Sequence, residues 1–241
     1  MSSLLMRRVM KRWSVAPINP ADLGACFWID PKDATTLDET GGVITSITDK
    51  ISGNVFTQTT SGNRPSLVEV DGYNCIRFAG SQWIPCSSVS GVAATTSYLL
   101  AAVFKASSTG NLPIFAFRGS GDAIARQFGT RNADRIYSFS TAAVSAYADI
   151  ASNAVKLLAV GRKQPDVPKM TIWVNGVNVT DAIGGDLVTV EAATTAVLGA
   201  YTLAGAAPWV GDLHELVLIQ DDASDETRMA LEAYLTASNG L

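Results

Sequence analysis

The chain has 241 residues, 47% hydrophobic and 17% charged, with a net charge of −4, one histidine and three cysteines. That composition excludes a disordered chain, and a single all-β sandwich can fill such a length with one core and no staples. The acidic balance excludes general attraction to nucleic acid, and the lack of a run of about 18 apolar residues excludes a membrane-spanning helix.

The charge is unevenly placed. Residues 1–13 hold Arg7, Arg8, Lys11 and Arg12 and no acid, so an arm of +4 precedes a body of −8. Leu5, Val9 and Trp13 recur at i, i+4 and i+8, with Met6 alongside, so a short helix would present an apolar stripe flanked by Arg8 and Arg12. So short a helix is marginal in water and gains its order from contact. Leu5, Arg7, Arg8, Val9, Lys11, Arg12 and Trp13 are therefore expected to dock onto a partner. The alternative is an arm folded back on its own acidic body. Met1–Met6 is too short for the apolar core of a signal peptide. "APINPADLG" then marks a turn, which sets the expected boundary between an arm and linker, 1–21, and one domain, 22–241.

From there the pattern is that of strands. "ACFWID" (25–30), "GVITSIT" (42–48), "NCIRFAG" (74–80), "SYLLAAVFK" (97–105), "PIFAFRG" (113–119), "RIYSFS" (135–140), "VKLLAVGR" (155–162), "KMTIWVNG" (169–176) and "ELVLIQ" (215–220) are short and rich in β-branched or aromatic residues. Ile172 and Val174 alternate with Thr171 and Trp173, and Asn175-Gly176 is a strong hairpin signal. About a dozen such strands predict a two-sheet antiparallel sandwich.

The last stretch, "GDLHELVLIQDDASDETRMALEAYL" (211–235), predicts a strand and then a helix. Leu213, Val217 and Ile219 are expected on one side of the strand and Leu216 and Leu218 on the other, so it should be central and buried on both faces. Ser224 is a good N-cap, and Asp225 and Glu226 suit the first turn of a helix over 224–237. Thr227, Ala230, Leu231, Tyr234 and Leu235 share its inner face, while Arg228 and Glu232 should pair on the exposed side.

No motif carries catalysis. His214-Glu215 lacks the second histidine of a zinc-protease helix, since Leu218 stands in its place. No G-x-S-x-G turn exists to serve the lone histidine as a nucleophile elbow, and "RGSGDA" (118–123) reads as a hairpin turn. Cys26, Cys75 and Cys86 have no metal-ligand spacing and read as buried thiols. The turn acids Asp30, Asp33, Asp38 and Glu39 read as solvated caps, with calcium binding as the other reading. Trp13, Trp28, Trp83, Trp173 and Trp209 read as packing residues, with a sugar-stacking platform as the alternative. The expectation is no catalytic residue, no metal and no cofactor, and hence a chain that is not an enzyme.

The quoted runs also carry a resemblance. Trp28, Ile29, Asp30 and Asp33, then Asp49, Lys50, Ser52, Gly53 and Asn54, then Arg64-Pro65, then Arg77, Phe78 and Gly80, follow one another as in concanavalin A-like, laminin-G-like jelly rolls. "GDLHELVLI" with its helix resembles the ending of the same family. Ile51 is inserted in the D-K-S-G-N loop, and Ala79 replaces the aspartate of R-F-D-G. The resemblance implies a concanavalin A-like jelly roll with a short C-terminal helix and an N-terminal arm. Because such domains are common in bacteriophage proteins, it also implies a virion component of the capsid or tail. Its expected partners are other virion proteins or copies of itself, with no nucleic acid and no membrane. The alternative is a carbohydrate-binding module for a host surface glycan. Fold alone does not choose between them.

Overall fold

The computed structural model describes residues 18–107, 112–131, 135–140, 144–149, 155–164, 170–184 and 189–241. In chain order the strands begin with β1 (Ala25–Ile29), β2 (Leu37–Thr40), β3 (Val43–Thr48), β4 (Val55–Thr57), β5 (Ser66–Val70) and β6 (Tyr73–Ala79). Next come β7 (Ile84–Cys86), β8 (Tyr98–Ala106), β9 (Leu112–Arg118), β10 (Ile124–Arg131), β11 (Arg135–Ser140) and β12 (Val144–Asp149). The last are β13 (Leu157–Lys163), β14 (Thr171–Val174), β15 (Val177–Asn178), β16 (Thr180–Gly184), β17 (Thr195–Leu198) and β18 (Val210–Gln220), before the helix α1 (Asp225–Asn239). Strands such as β4, β7 and β15 are two or three residues long, too short to show a period in the sequence.

Eleven strands form one sheet in the order β15-β14-β13-β8-β18-β6-β5-β3-β2, with β1 beside β18 and β4 beside β3. Seven form the other, ordered β16-β12-β11-β10-β9-β17-β7. The ladders are antiparallel, and the chain crosses repeatedly between the sheets. The result is the all-β, two-sheet sandwich with a C-terminal helix that the strand pattern predicts. Asn175 and Gly176, at φ 48° and 79°, make the expected tight hairpin between β14 and β15. The "RGSGDA" segment is a turn between β9 and β10, closed by Gly119 N–H to the Ala123 carbonyl at 2.8 Å.

Two apolar layers hold the fold. Between the sheets lie Phe27, Phe78, Phe104, Phe115, Phe117, Phe128 and Trp209, all buried. On the other side of the larger sheet, α1 covers Trp28, Leu99, Ala101, Val103, Val160, Val217 and Ile219 with Leu231 and Leu235. The middle of the larger sheet is therefore apolar on both faces. β8 shows it directly: Leu100, Ala102 and Phe104 face the other sheet, while Leu99, Ala101 and Val103 face the helix.

The structure corrects two sequence expectations here. Leu213 lies with Leu216 and Leu218 in the inter-sheet core, whereas Val217 and Ile219 lie under α1. The cause is a register shift between Leu213 and Glu215, which pair with the adjacent residues Phe104 and Val103. His214 is the extra residue of a β-bulge, and alternation restarts after it. The second correction concerns Arg228 and Glu232. They do pair, at 2.7 Å, but both are buried, because the guanidinium lies 4.7 Å from the Trp173 ring. A planar cation stacked on indole is covered rather than solvated. The helix itself follows its caps: the Ser224 hydroxyl accepts from Thr227 N–H, and Gly240 ends it at φ 63°.

Candidate functional site

The H-E pair at the start of the closing segment is structural. Glu215 is fully buried, and its carboxylate accepts from Trp28 Nε1 (2.8 Å), Lys32 Nζ (2.6 Å), Asn239 Nδ2 (2.8 Å) and Ser238 Oγ (3.0 Å). Lys32 also meets Asp30 at 2.9 Å, and Lys50 bridges Asp30 (3.1 Å) and Asp33 (2.9 Å) while standing 4.0 Å over the Trp28 ring. The W-I-D-x-x-D run thus forms one paired network that ties β1 to β18 and to the end of α1. Asp30 and Asp33 are engaged by lysines, and Asp33 also caps a turn through Thr35 N–H. Among the described residues, no group of three or more His, Cys, Asp or Glu is placed to hold a metal ion.

The D-K-S-G-N loop is likewise an architectural turn. The Asp49 carboxylate accepts N–H bonds from Trp28, Ile51, Ser52 and Asn54 and the Asn54 amide. Asn54 Oδ1 in turn accepts from Ser90 N–H at 2.8 Å. The inserted Ile51 packs beside the layer under α1, which is how the loop accommodates it.

His214 is also fully buried, and neither ring nitrogen has a hydrogen-bond partner. Burial, and then the charge of Lys156, push its pKa down from 6.5 to about 4, so it is neutral near pH 7. Cys26, Cys75 and Cys86 are free thiols; burial pushes Cys26 and Cys75 up to about 12. A thiol held that high is no nucleophile.

Four of the five tryptophans can be placed. Trp28 and Trp209 are buried, and Trp173 is stacked between Arg162 (5.2 Å) and Arg228 (4.7 Å). Trp83 lies half-buried on the outer face of the seven-stranded sheet, against the small cluster Ala116, Val197 and Ala200. Its Nε1 donates to the Leu203 carbonyl at 3.1 Å. Gly205, at φ 81°, lies flat on its ring, since an added Cβ would come within 2.4 Å. This contact folds the 199–209 loop back over the sheet and sets Tyr201 on that face. Tyr201 is 38% exposed. The Arg118 guanidinium lies 5.2 Å from its ring and donates to its carbonyl at 2.8 Å. Gln127, opposite Ala116 on β10, donates to the Tyr137 hydroxyl and keeps a buried amide oxygen without a partner.

This outer face offers an exposed ring fixed by a cation, next to buried hydrogen-bonding groups. A ring presents its face to sugar C–H bonds. Sequence reasoning missed Tyr201, Arg118 and Gln127. Tyr201 sits in an irregular loop without a period, Arg118 ends β9, and Gln127 follows Arg126 within β10 with no motif around it. The arm residues Leu5, Arg7, Arg8, Val9, Lys11, Arg12 and Trp13, as well as Met6, lie outside the described residues.

No family model and no curated protein matches the sequence. Solved structures do share its fold. Trypanosoma rangeli sialidase aligns at 13% identity and a TM-score of 0.59, covering 92% of this chain and 34% of the sialidase chain. An arabinofuranosidase complexed with arabinofuranosyl-α-1,2-xylobiose aligns at 14% and 0.58, over 89% of this chain and 59% of its own. An α-L-arabinofuranosidase soaked with a cyclic sulfate inhibitor aligns at 14% and 0.59, with the same coverage. This chain therefore spans about a third of the sialidase chain and three-fifths of the arabinofuranosidase chains. At such identities the likeness establishes the fold alone. It corrects the expectation that the chain is not an enzyme: the sialidase and arabinofuranosidases that align with it are enzymes, so the lack of a familiar catalytic motif does not exclude catalysis. A phage-type jelly roll is not singled out.

Proposed function

We propose that this sandwich recognises carbohydrate through the outer face of its seven-stranded sheet. The observation that carries the reading is the Tyr201 ring, exposed and fixed against Arg118 on a fold shared with sialidase and arabinofuranosidase chains. The ring stacks on a sugar face, and Arg118 holds the ring in place. A virion role draws no support from these comparisons.

Titration calorimetry against a panel of neutral and acidic oligosaccharides tests the proposal, with aryl glycosides in the same panel to read turnover. Tyr201→Ala should weaken binding by about tenfold while leaving the unfolding midpoint unchanged. A chain that binds nothing in the panel, or that binds equally well without Tyr201, ends this reading.

For the N-terminal arm we propose docking onto an acidic partner surface. The support is its +4 charge and its Leu5, Val9 and Trp13 stripe.

A further inference from the structure

Arg126 and Lys163 are both buried, at 0% and 1% exposure. Arg126 lies in β10 and Lys163 ends β13, so they come from different sheets, and both adjoin Tyr98: Lys163 pairs with it across the β13–β8 ladder and Arg126 lies over its ring. Among the described residues, neither is in contact with a carboxylate. Arg126 donates through Nη2 to the Ala93 carbonyl (2.8 Å) and through Nη1 to the Glu191 carbonyl (3.4 Å), and its guanidinium lies 5.4 Å from the Tyr98 ring. Its Nε is buried without a partner. Lys163 Nζ donates to the Thr96 carbonyl at 2.8 Å. Burial, and then the charge of Arg126, push the Lys163 ammonium below its ordinary range, so the two cations feel one another.

Among the described residues, five other cations of the fold are paired with acids, whereas Lys156 and Arg64, both less buried, also meet carbonyls. Arg162 pairs with Asp225, Arg228 with Glu232, Lys32 with Glu215, Arg77 with Asp212, and Lys50 with Asp30 and Asp33. Carboxylates do stand near Arg126, but they are turned to other donors. Asp221 accepts from Thr95 Oγ1 at 2.6 Å, and the Glu191 carboxylate faces Ser120 while only its backbone oxygen meets the guanidinium. Two neighbouring buried cations repel each other and have lost their water, and carbonyl dipoles offset only part of that cost.

We infer that Arg126 and Lys163 form the base of a binding site for one oxyanion group: a carboxylate, sulfate or phosphate. A guanidinium with an unused N–H beside an ammonium matches two oxygens of such a group. The carbonyls that now occupy them belong to the 92–96 and 189–193 segments. Those segments are joined by an isolated bridge, Thr95 to Val190, with backbone bonds of 3.0 and 2.8 Å, and by Ala193 N–H to the Val92 carbonyl at 2.9 Å. An anion reaches the cations only by separating these two bonded segments, exchanging neutral acceptors for a charged one. The group arrives either as a free ion or on an acidic sugar. The site stands apart from the Tyr201 face and does not rest on it.

The test measures unfolding midpoints and calorimetric binding for the full chain with sodium phosphate or sulfate against chloride at matched ionic strength, and with glucuronate against glucose. Phosphate and sulfate should raise the midpoint by several degrees beyond chloride. Arg126→Gln and Lys163→Gln should each lose that rise and bind about tenfold more weakly. Lys163 ends its strand, so its variant keeps the test open if the Arg126 variant fails to fold. Tighter binding of glucuronate than of the free ions identifies a sugar as the source, and binding of free ions alone identifies a simple anion. Tyr201→Ala should leave the anion response intact, which separates this site from the proposed sugar face. A response no larger than that to chloride, or an equal response in Lys163→Gln, overturns the inference.

Discussion

Two buried charged clusters in this sandwich follow opposite rules. Under α1, Glu215, Asp30, Lys32 and Lys50 alternate in sign, and Trp28, Ser238 and Asn239 fill the remaining positions on the Glu215 carboxylate. Beside Tyr98, Arg126 and Lys163 share one sign and face carbonyl oxygens. A buried charge is tolerable when its partner and its spare hydrogen bonds are all supplied. The first cluster meets that condition and so joins strand, turn and helix. The second does not, and that difference is the ground for the proposed anion site.

The largest effect should come from breaking the complete cluster. Glu215→Ala leaves Lys32 without one of its two acids and orphans the Trp28 indole donor, while Asn239 keeps its bonds to Leu235 and Ser238. The expected loss is about 3–5 kcal/mol, read from urea unfolding at neutral pH. Removing one cation of the incomplete cluster with Lys163→Gln should cost far less, because no carboxylate is left unpaired. Equal losses in the two variants would show that the clusters are alike and erase the distinction.

The sequence shows these clusters unequally. The W-I-D run, the D-K loop and the H-E pair stand out as motifs, and the structure gathers them around Glu215 and Asp49. The apolar runs of β8 and β18 announce strands covered on both faces, and Ser224 with its following acids announces α1. Arg126 and Lys163 carry no such mark. Arg126 is a charge inside an apolar strand and Lys163 follows Arg162 at the end of another, positions that by pattern alone belong on a wet face. Their burial depends on which segments fold over them, a long-range outcome that local periodicity does not encode. The bulge at His214 is hidden for a related reason. One extra residue inverts every later side chain, yet the residue types on the two faces of β18 are too similar to reveal the shift.

That bulge offers the next test, since His214 adjoins the complete cluster but takes no hydrogen bond from it. The charges acting on it are Lys156 and Lys32 against Asp212 and Asp71. Its pKa is about 4 in the folded chain and 6.5 in the free side chain. The neutral ring therefore contributes stability that is full above pH 6.5 and is lost as pH falls toward 4, by about 3 kcal/mol at most. Urea midpoints of wild type and His214→Leu, measured from pH 7 to pH 4, should diverge over that window, with the variant losing less. Parallel curves would assign the acid loss to the carboxylates instead.

The smallest expected effect on stability concerns a third set of charges, the arm. Its four cations carry no acid among them, and its apolar positions alternate with those charges. The proposed role is contact with something outside this domain. Deleting residues 1–13 should then change the unfolding free energy by no more than about 0.5 kcal/mol, the usual range for surface changes. Retention on a polyglutamate surface should fall sharply at low salt. In the intact chain, retention should weaken as ionic strength rises past about 0.15 M, where exposed charges more than about 8 Å apart are largely screened. Part of the binding to a partner that also offers an apolar surface should survive, because Leu5, Val9 and Trp13 bury area that salt does not screen. A truncated chain that unfolds would show the arm to be part of the body's own packing. One that is retained as well as the intact chain would show that the arm does not dock.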